Sequence, residues 1–207
     1  MSSVPHPPPR YAPLRVAWLV GSCIVLSCGV ALLLGSRLGS DGYSTMLNGL
    51  MMRTGLPFVL VSVSVSIVFV AIAWAKGLRP DLGTLVQPVV VGLSVGFLLP
   101  LAPRPEGGPA RWVEFAAGFV VVCLGVAGYL AADLGIGPTE GPAIAFDPPV
   151  PFRWSYMGIQ AFGLVVGWLC GADVGLGTVL VVFGIGPIVD RLRPVMPHWP
   201  PAGEPGR

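Results

Sequence analysis

Two three-residue turns, Leu82-Gly83-Thr84 and Leu176-Gly177-Thr178, carry the residue types best suited to chemistry in this chain. Glycine allows close backbone approach, and a threonine after it can cap a helix whose free N–H groups and dipole attract anions. A pair of such turns would serve as gates or half-sites for a small anionic or polar solute. A third Gly-rich turn runs Asp133-Leu134-Gly135-Ile136-Gly137-Pro138. Asp133 and Asp190 each close an apolar run beside a Gly/Pro turn, with Arg153 and Arg191 as the basic residues available on the same expected face. The candidate binding or gating set is therefore Gly83, Thr84, Gly177, Thr178, Gly135, Gly137, Asp133 and Asp190. The competing reading is structural: the glycines pack against neighbouring helices and the threonines only cap.

Nothing resembling a catalytic constellation stands beside these turns. The chain has no Ser/His/Asp or Cys/His set and no Walker-type loop, so no enzyme and no cofactor are expected. His6 and His198 lie in Pro-rich ends without Cys or carboxylate at ligand spacing, so no metal is expected. Cys23, Cys28, Cys123 and Cys170 fall inside apolar runs and read as small packing residues. Asp41, Asp81, Glu140 and Asp173 read as solvated loop charges. No charged side chain stands in the middle of an apolar run; a carboxylate proton relay needs one, so a proton pump is disfavoured while a facilitator or exporter is not.

The elements that must position these residues are membrane helices. The 207 residues are 54% hydrophobic and only 11% charged, with a mean hydropathy of +0.78. A soluble domain carries about 25% charged residues. A net charge of +2 with scattered basic residues gives no footprint for nucleic acid. Crossing a bilayer takes roughly 20 apolar residues, and six uncharged runs approach that length: Val16–Ser36, Thr54–Ala75, Leu82–Pro103, Phe115–Ala132, Trp154–Ala172 and Val174–Val189. Trp18, Trp74, Trp112, Trp154 and Trp168 lie near the run ends as interfacial anchors. Gly163, Gly167 and Gly171, like Gly92 and Gly96, fall at four-residue spacing, the pattern of close helix packing.

Positive residues set the orientation. With both termini in the cytoplasm, the inner segments hold Arg10, Arg15, Lys76, Arg79, Arg153, Arg191, Arg193 and Arg207, and the outer ones only Arg37, Arg53, Arg104 and Arg111. Residues 1–13 and 194–207 are Pro-rich and are expected to be disordered tails. Residues 104–110 form a linker between a first unit, 14–103, and a second, 111–193.

Those units repeat. Leu82-Gly83-Thr84 recurs 94 residues later as Leu176-Gly177-Thr178, and Gly92 recurs at the same offset as Gly186. Leu38-Gly39 recurs 96 residues later as Leu134-Gly135. Each unit holds three spans, an odd number, so the second enters the membrane from the opposite side. Leu38-Gly39 is then expected on one face with Leu176-Gly177-Thr178, and Leu82-Gly83-Thr84 on the other with Leu134-Gly135. The expected fold is an all-α membrane protein of six transmembrane helices in two inverted three-helix repeats.

Leu38-Gly39-Ser40-Asp41-Gly42-Tyr43, with Asn48-Gly49-Leu50 and Arg53-Thr54-Gly55-Leu56, resembles the first-repeat signature of the YczE/YitT-like bacterial membrane proteins. Asp133-Leu134-Gly135-Ile136-Gly137-Pro138 resembles the second, and Gly175–Thr178 with Gly184–Asp190 resembles that family's closing segment. The likeness covers residues 16–193 and implies a multi-pass location in a bacterial plasma membrane more than any chemistry. Asp41-Gly42 replaces the usual Gly-Pro pair, and Ser44 or Glu140 the usual Asp. Residues 141–152, with four prolines, look unlike the short helix expected there. The function expected is small-solute transport or export by rocking one repeat against the other. The alternative is a non-transporting scaffold acting through partners, with the lipid bilayer as surrounding in either case.

Overall fold

The computed structural model describes residues 11–197, and every regular element among them is helical. In chain order these are α1 (Pro13–Ser36), α2 (Gly42–Thr54), α3 (Phe58–Ala75), α4 (Leu82–Leu98) and α5 (Gly108–Ala132). Then come α6 (Glu140–Ala145), α7 (Phe152–Leu169) and α8 (Leu176–Leu192). Three-residue 3-10 turns extend α4 through Leu101 and α8 through Val195. Most of the expected Pro-rich tails, with His6 and His198, lie outside the described residues.

Four helices are long and apolar enough to cross a membrane: α1, α3, α4 with its 3-10 turn, and α5. Large apolar side chains stand on the outer surface, including Ile67, Phe97, Val113, Leu169, Leu176 and Phe183. A water-soluble fold would bury such residues; lipid accepts them. The two remaining expected spans fall on α7 and α8. These match α3 and α4 in length but are more polar, with Arg153 and Gln160 in the first and Asp190 and Arg191 in the second.

Two elements depart from the sequence reading. The stretch before Thr54 forms α2, capped by Asp41, whose carboxylate accepts the Ser44 N–H at 3.0 Å. It ends at Gly55, which is left-handed (φ 70°) and returns its N–H to Met51. Pro57 then starts α3 separately, so the expected run Thr54–Ala75 is broken at its beginning. Residues 140–145 do form a short helix, α6, despite Pro142. That proline sits in the first turn, where its missing N–H has no intrahelical partner to lose.

The centre of the molecule is an antiparallel seam of α1 and α5. A Cβ added at Gly29 would lie 2.5 Å from the Val122 backbone, and one at Gly125 would lie 2.5 Å from Leu26 Cα. Nearer one end Trp18 Nε1 donates to the Gly128 carbonyl at 2.9 Å. Each end is closed by an arginine from the facing helix. Arg15 donates to the carbonyls of Ala132 (2.6 Å) and Asp133 (2.9 Å). Arg111 donates to those of Ser36 (2.7 Å) and Arg37 (2.6 Å). These carbonyls end helices and have no intrahelical donor, so a guanidinium fork satisfies them and suits the negative dipole end.

The turns meet across the halves as well. Gly177 N–H donates to the Leu38 carbonyl at 2.9 Å, and Gly83 N–H to the Leu134 carbonyl at 2.6 Å. Gly39 (φ 105°) and Gly135 (φ 136°) sit against Thr178 and Thr84 respectively, where backbone sign and lack of space both require glycine. The halves are not identical. α2 has 13 residues and lies along α7, whereas its counterpart α6 has six and touches α3 far less. The outer helix pairs differ too. α3 packs on α4, with Gly92 against Val59 and the Ser62 hydroxyl donating to the Pro88 carbonyl at 3.1 Å. α7 and α8 barely touch, and Gly186 has open space where a Cβ would stand.

Candidate functional site

Short helices bring polar residues inward. α2 runs alongside α7, with Gly42 against Gln160 and Gly163 and Gly49 against Gly167, so its acidic cap lies beside the middle of α7 rather than its end. α6 likewise follows the docked Leu134-Gly135 turn and starts with Glu140. Gly137 leaves room for that side chain, since a Cβ there would collide with Glu140 Oε2 and stand 3.0 Å from Gln87 Oε1.

Between these elements lies a cavity of about 340 Å³ lined by both halves. Its walls are largely aliphatic, from Leu26, Val30, Leu47, Val122, Val126 and Ile185 among others. A polar cluster interrupts them. Glu140 Oε1 accepts from the Tyr129 hydroxyl at 3.0 Å and Oε2 from the Thr139 hydroxyl at 3.1 Å. Gln160 accepts the Tyr43 N–H at 3.1 Å and donates to the Tyr156 hydroxyl at 2.8 Å. Tyr43 Oη and Ser66 Oγ are 2.7 Å apart. Asp41 completes the lining beside Glu140, its Oδ1 accepting from the Ser40 hydroxyl at 3.2 Å.

The electrostatics follow from burial. Desolvation pushes the Glu140 carboxyl above its ordinary value of 4.5, hydrogen bonds to its charged form oppose the rise, and the charge on Asp41 adds to it. Among the described residues, no Lys, Arg or His borders the cavity. Such a chamber holds an acidic group that can keep or release a proton beside apolar walls.

The residues singled out from sequence divide three ways. Gly83, Thr84, Gly177, Thr178 and Gly135 form the docked turns and do not line the cavity; Thr84 Oγ1 donates to the Ile136 carbonyl at 2.9 Å. Asp133 pairs with Arg15 at 3.2 Å, not with Arg153 or Arg191, and is largely exposed. Only Asp190 lines the cavity, with Gly137 behind Glu140. Asp41 and Glu140, expected as solvated loop charges, instead face the chamber. Tyr43, Tyr129, Tyr156 and Gln160 were not anticipated. The available signal was Gln160, an amide inside an otherwise apolar run, and an acidic residue soon after each Leu-Gly turn.

Comparison with known proteins places the chain among membrane proteins of uncharacterised function. An uncharacterised protein of Haemophilus influenzae is 27% identical over 192 residues, covering 89% of this chain and 87% of that one. The uncharacterised membrane protein YczE of Bacillus subtilis is 25% identical over 185 residues, covering 85% and 84% respectively. The resemblance carried by the Leu-Gly motifs therefore holds, and the apolar helices agree with the membrane location. No solved structure matches the chain. Residues 13–194 match the model of a family of unknown function, DUF6198, and the chain belongs to that family.

Proposed function

We propose that the protein carries a small polar solute across a bacterial plasma membrane by rocking two inverted repeats about the α1–α5 seam. The observation that carries this reading is the cavity between the halves, largely aliphatic in its walls and polar enough at one cluster to recognise a ligand. The inverted relation draws support from the matched contacts: Arg15 and Arg111 close opposite ends of one antiparallel pair, and each Leu-Gly turn docks on the other half's Leu-Gly-Thr turn. In this reading α7 and α8 cross the bilayer too, α2 and α6 are re-entrant half-helices, and both termini are cytoplasmic. Alternation draws support from the unequal helix pairs, α3–α4 closed and α7–α8 open, because a carrier caught in one state holds its repeats in different conformations.

The close Gly-packed seams of α1–α5 and α2–α7 favour a second reading, a membrane scaffold acting through partners. Reconstitution separates the two. Proteoliposomes should show flux or ligand-dependent stabilisation for at least one member of a broad metabolite panel. No flux or stabilisation anywhere, together with one stoichiometric partner captured by cross-linking in native membrane, would replace the carrier by the scaffold.

A further inference from the structure

We propose that the central cavity binds a hydrophobic organic cation, an assignment that rests on reading this chamber as the protein's solute site. Its charge is one-sided: Asp41, Glu140 and Asp190 border it, and no basic residue among those described does. The partners of the two inner carboxylates are neutral donors, the Ser40, Tyr129 and Thr139 hydroxyls and the Ser44 N–H. A carboxylate in apolar surroundings without a cation is costly, and either a proton or a positively charged guest relieves it. The anionic solute expected from the helix-start turns has no counterpart in this lining.

The remaining walls decide what kind of cation fits. Tyr43, Tyr129, Tyr156 and Phe152 offer ring faces and edges to the chamber, and a desolvated cation over such a ring is attracted by its quadrupole. Aliphatic side chains supply most of the rest, so the guest must bring apolar surface of its own. A bare metal ion would need a set of oxygen or nitrogen ligands, and no group of three metal-ligating side chains stands together among the described residues. The volume of about 340 Å³ lies within the range of organic-ligand pockets. Gly186 lines the chamber with nothing within 4 Å of where a Cβ would stand, so α8 leaves room for a bulky apolar guest on that side.

Tetraphenylphosphonium and tetraphenylborate, nearly identical in shape and opposite in charge, test the assignment on the purified full-length protein in nanodiscs, with empty nanodiscs subtracted. The phosphonium should bind saturably and about tenfold or more tighter than the borate. Glu140→Gln should weaken the phosphonium by about tenfold or more and leave the borate unchanged, while Glu140→Asp retains most of the affinity. If Glu140→Gln does not fold, acidification of the wild type is the second measurement, since protonated Glu140 must release the phosphonium. Equal binding of the two ions, or phosphonium binding indifferent to both substitution and acid, overturns the proposal. Flux is read separately. Selective phosphonium binding without transport in proteoliposomes keeps the site and removes the carrier, and transport of another solute without selective phosphonium binding does the reverse.

Discussion

Gly92→Ala and Gly186→Ala are the same change at positions that correspond in the two halves, and the structure separates their outcomes. At Gly92 the new Cβ would lie 2.9 Å from Val59 Cα and 3.1 Å from Ser62 Cβ. The nearest obstacle is backbone, so no rotamer change relieves it and α3 must move away from α4. Overpacking of this kind costs about 1–3 kcal/mol, against which the better helix propensity of alanine returns about 1 kcal/mol. At Gly186 nothing lies within 4 Å, so only the propensity gain remains. With about 2–4 °C per kcal/mol for a chain of this size, Gly92→Ala should melt up to several degrees below wild type in detergent. Gly186→Ala should equal or slightly exceed it. Equal losses at both positions would refute the argument, because they would mean that α8 packs on α7 as α4 packs on α3. If the halves exchange roles during transport, Gly186→Trp should then block flux without lowering the melting temperature, as its bulk prevents α7 and α8 from closing.

Arg15 is 3% exposed and holds two helix-end carbonyls, so Arg15→Gln should cost about 2–4 kcal/mol and more than Arg111→Gln, whose parent is half-buried; equilibrium unfolding of both variants checks the order. Glu114 is buried in α5 with no close hydrogen bond to either carboxylate oxygen, and its desolvation outweighs the nearby Arg104 backbone and guanidinium. Glu114→Met should therefore raise stability by about 1–3 kcal/mol, measured the same way. Glu140 has a folded-state pKa above its ordinary 4.5, so between those two values the folded chain holds more protons than the unfolded one. Stability should therefore be full below the ordinary value, fall as pH rises through the folded one, and lose that slope in Glu140→Gln, as read from melting curves across the acid range.

The parts of the fold legible in sequence were those whose signal is length. α1, α3, α4 and α5 are apolar over 17 to 25 residues, and no other structure hides that much surface. The turns were legible because two kinds of marker recur in the same order. α2 was not, since Gly42–Thr54 is only 13 residues and carries Asn48 and Arg53, the composition of an exposed loop. α6 was masked by Pro142, which a first turn tolerates, and by three further prolines that lie beyond its end. The site escaped for a related reason. A search for charges in the middle of apolar runs cannot find Glu140 or Asp41, which stand next to loops along the chain. They become central only because α2 and α6 start deep, against the flanks of longer helices. Tyr43, Tyr129 and Tyr156 gave no signal at all, as tyrosine is common at span ends.

The arginine caps and docked turns are matched in the two halves while the α3–α4 and α7–α8 pairs are not, and that contrast bears on how a carrier of this design would work. The arginine caps and turn docks recur in both copies with distances within a few tenths of an ångström. Each such contact satisfies helix-end backbone groups, so breaking one during a cycle would leave carbonyls or N–H groups without their partner. The contact that differs, α3–α4 against α7–α8, rests on a single hydroxyl-to-carbonyl bond and on glycine packing, whose loss exposes little polar surface. On the carrier reading proposed above, the α1–α5 pair with its docked turns would be the frame that stays intact, and the motion about it would be taken up by the helix pairs around Gly92 and Gly186. Glu140 sits between these regimes, on a short helix tethered to the frame by Tyr129 but facing the chamber that the mobile pairs enclose. On the proposed cation reading, a guest at Glu140 would replace a proton without disturbing the Arg15, Arg111 or Leu-Gly contacts, so ligand exchange and frame integrity would be separable by mutation.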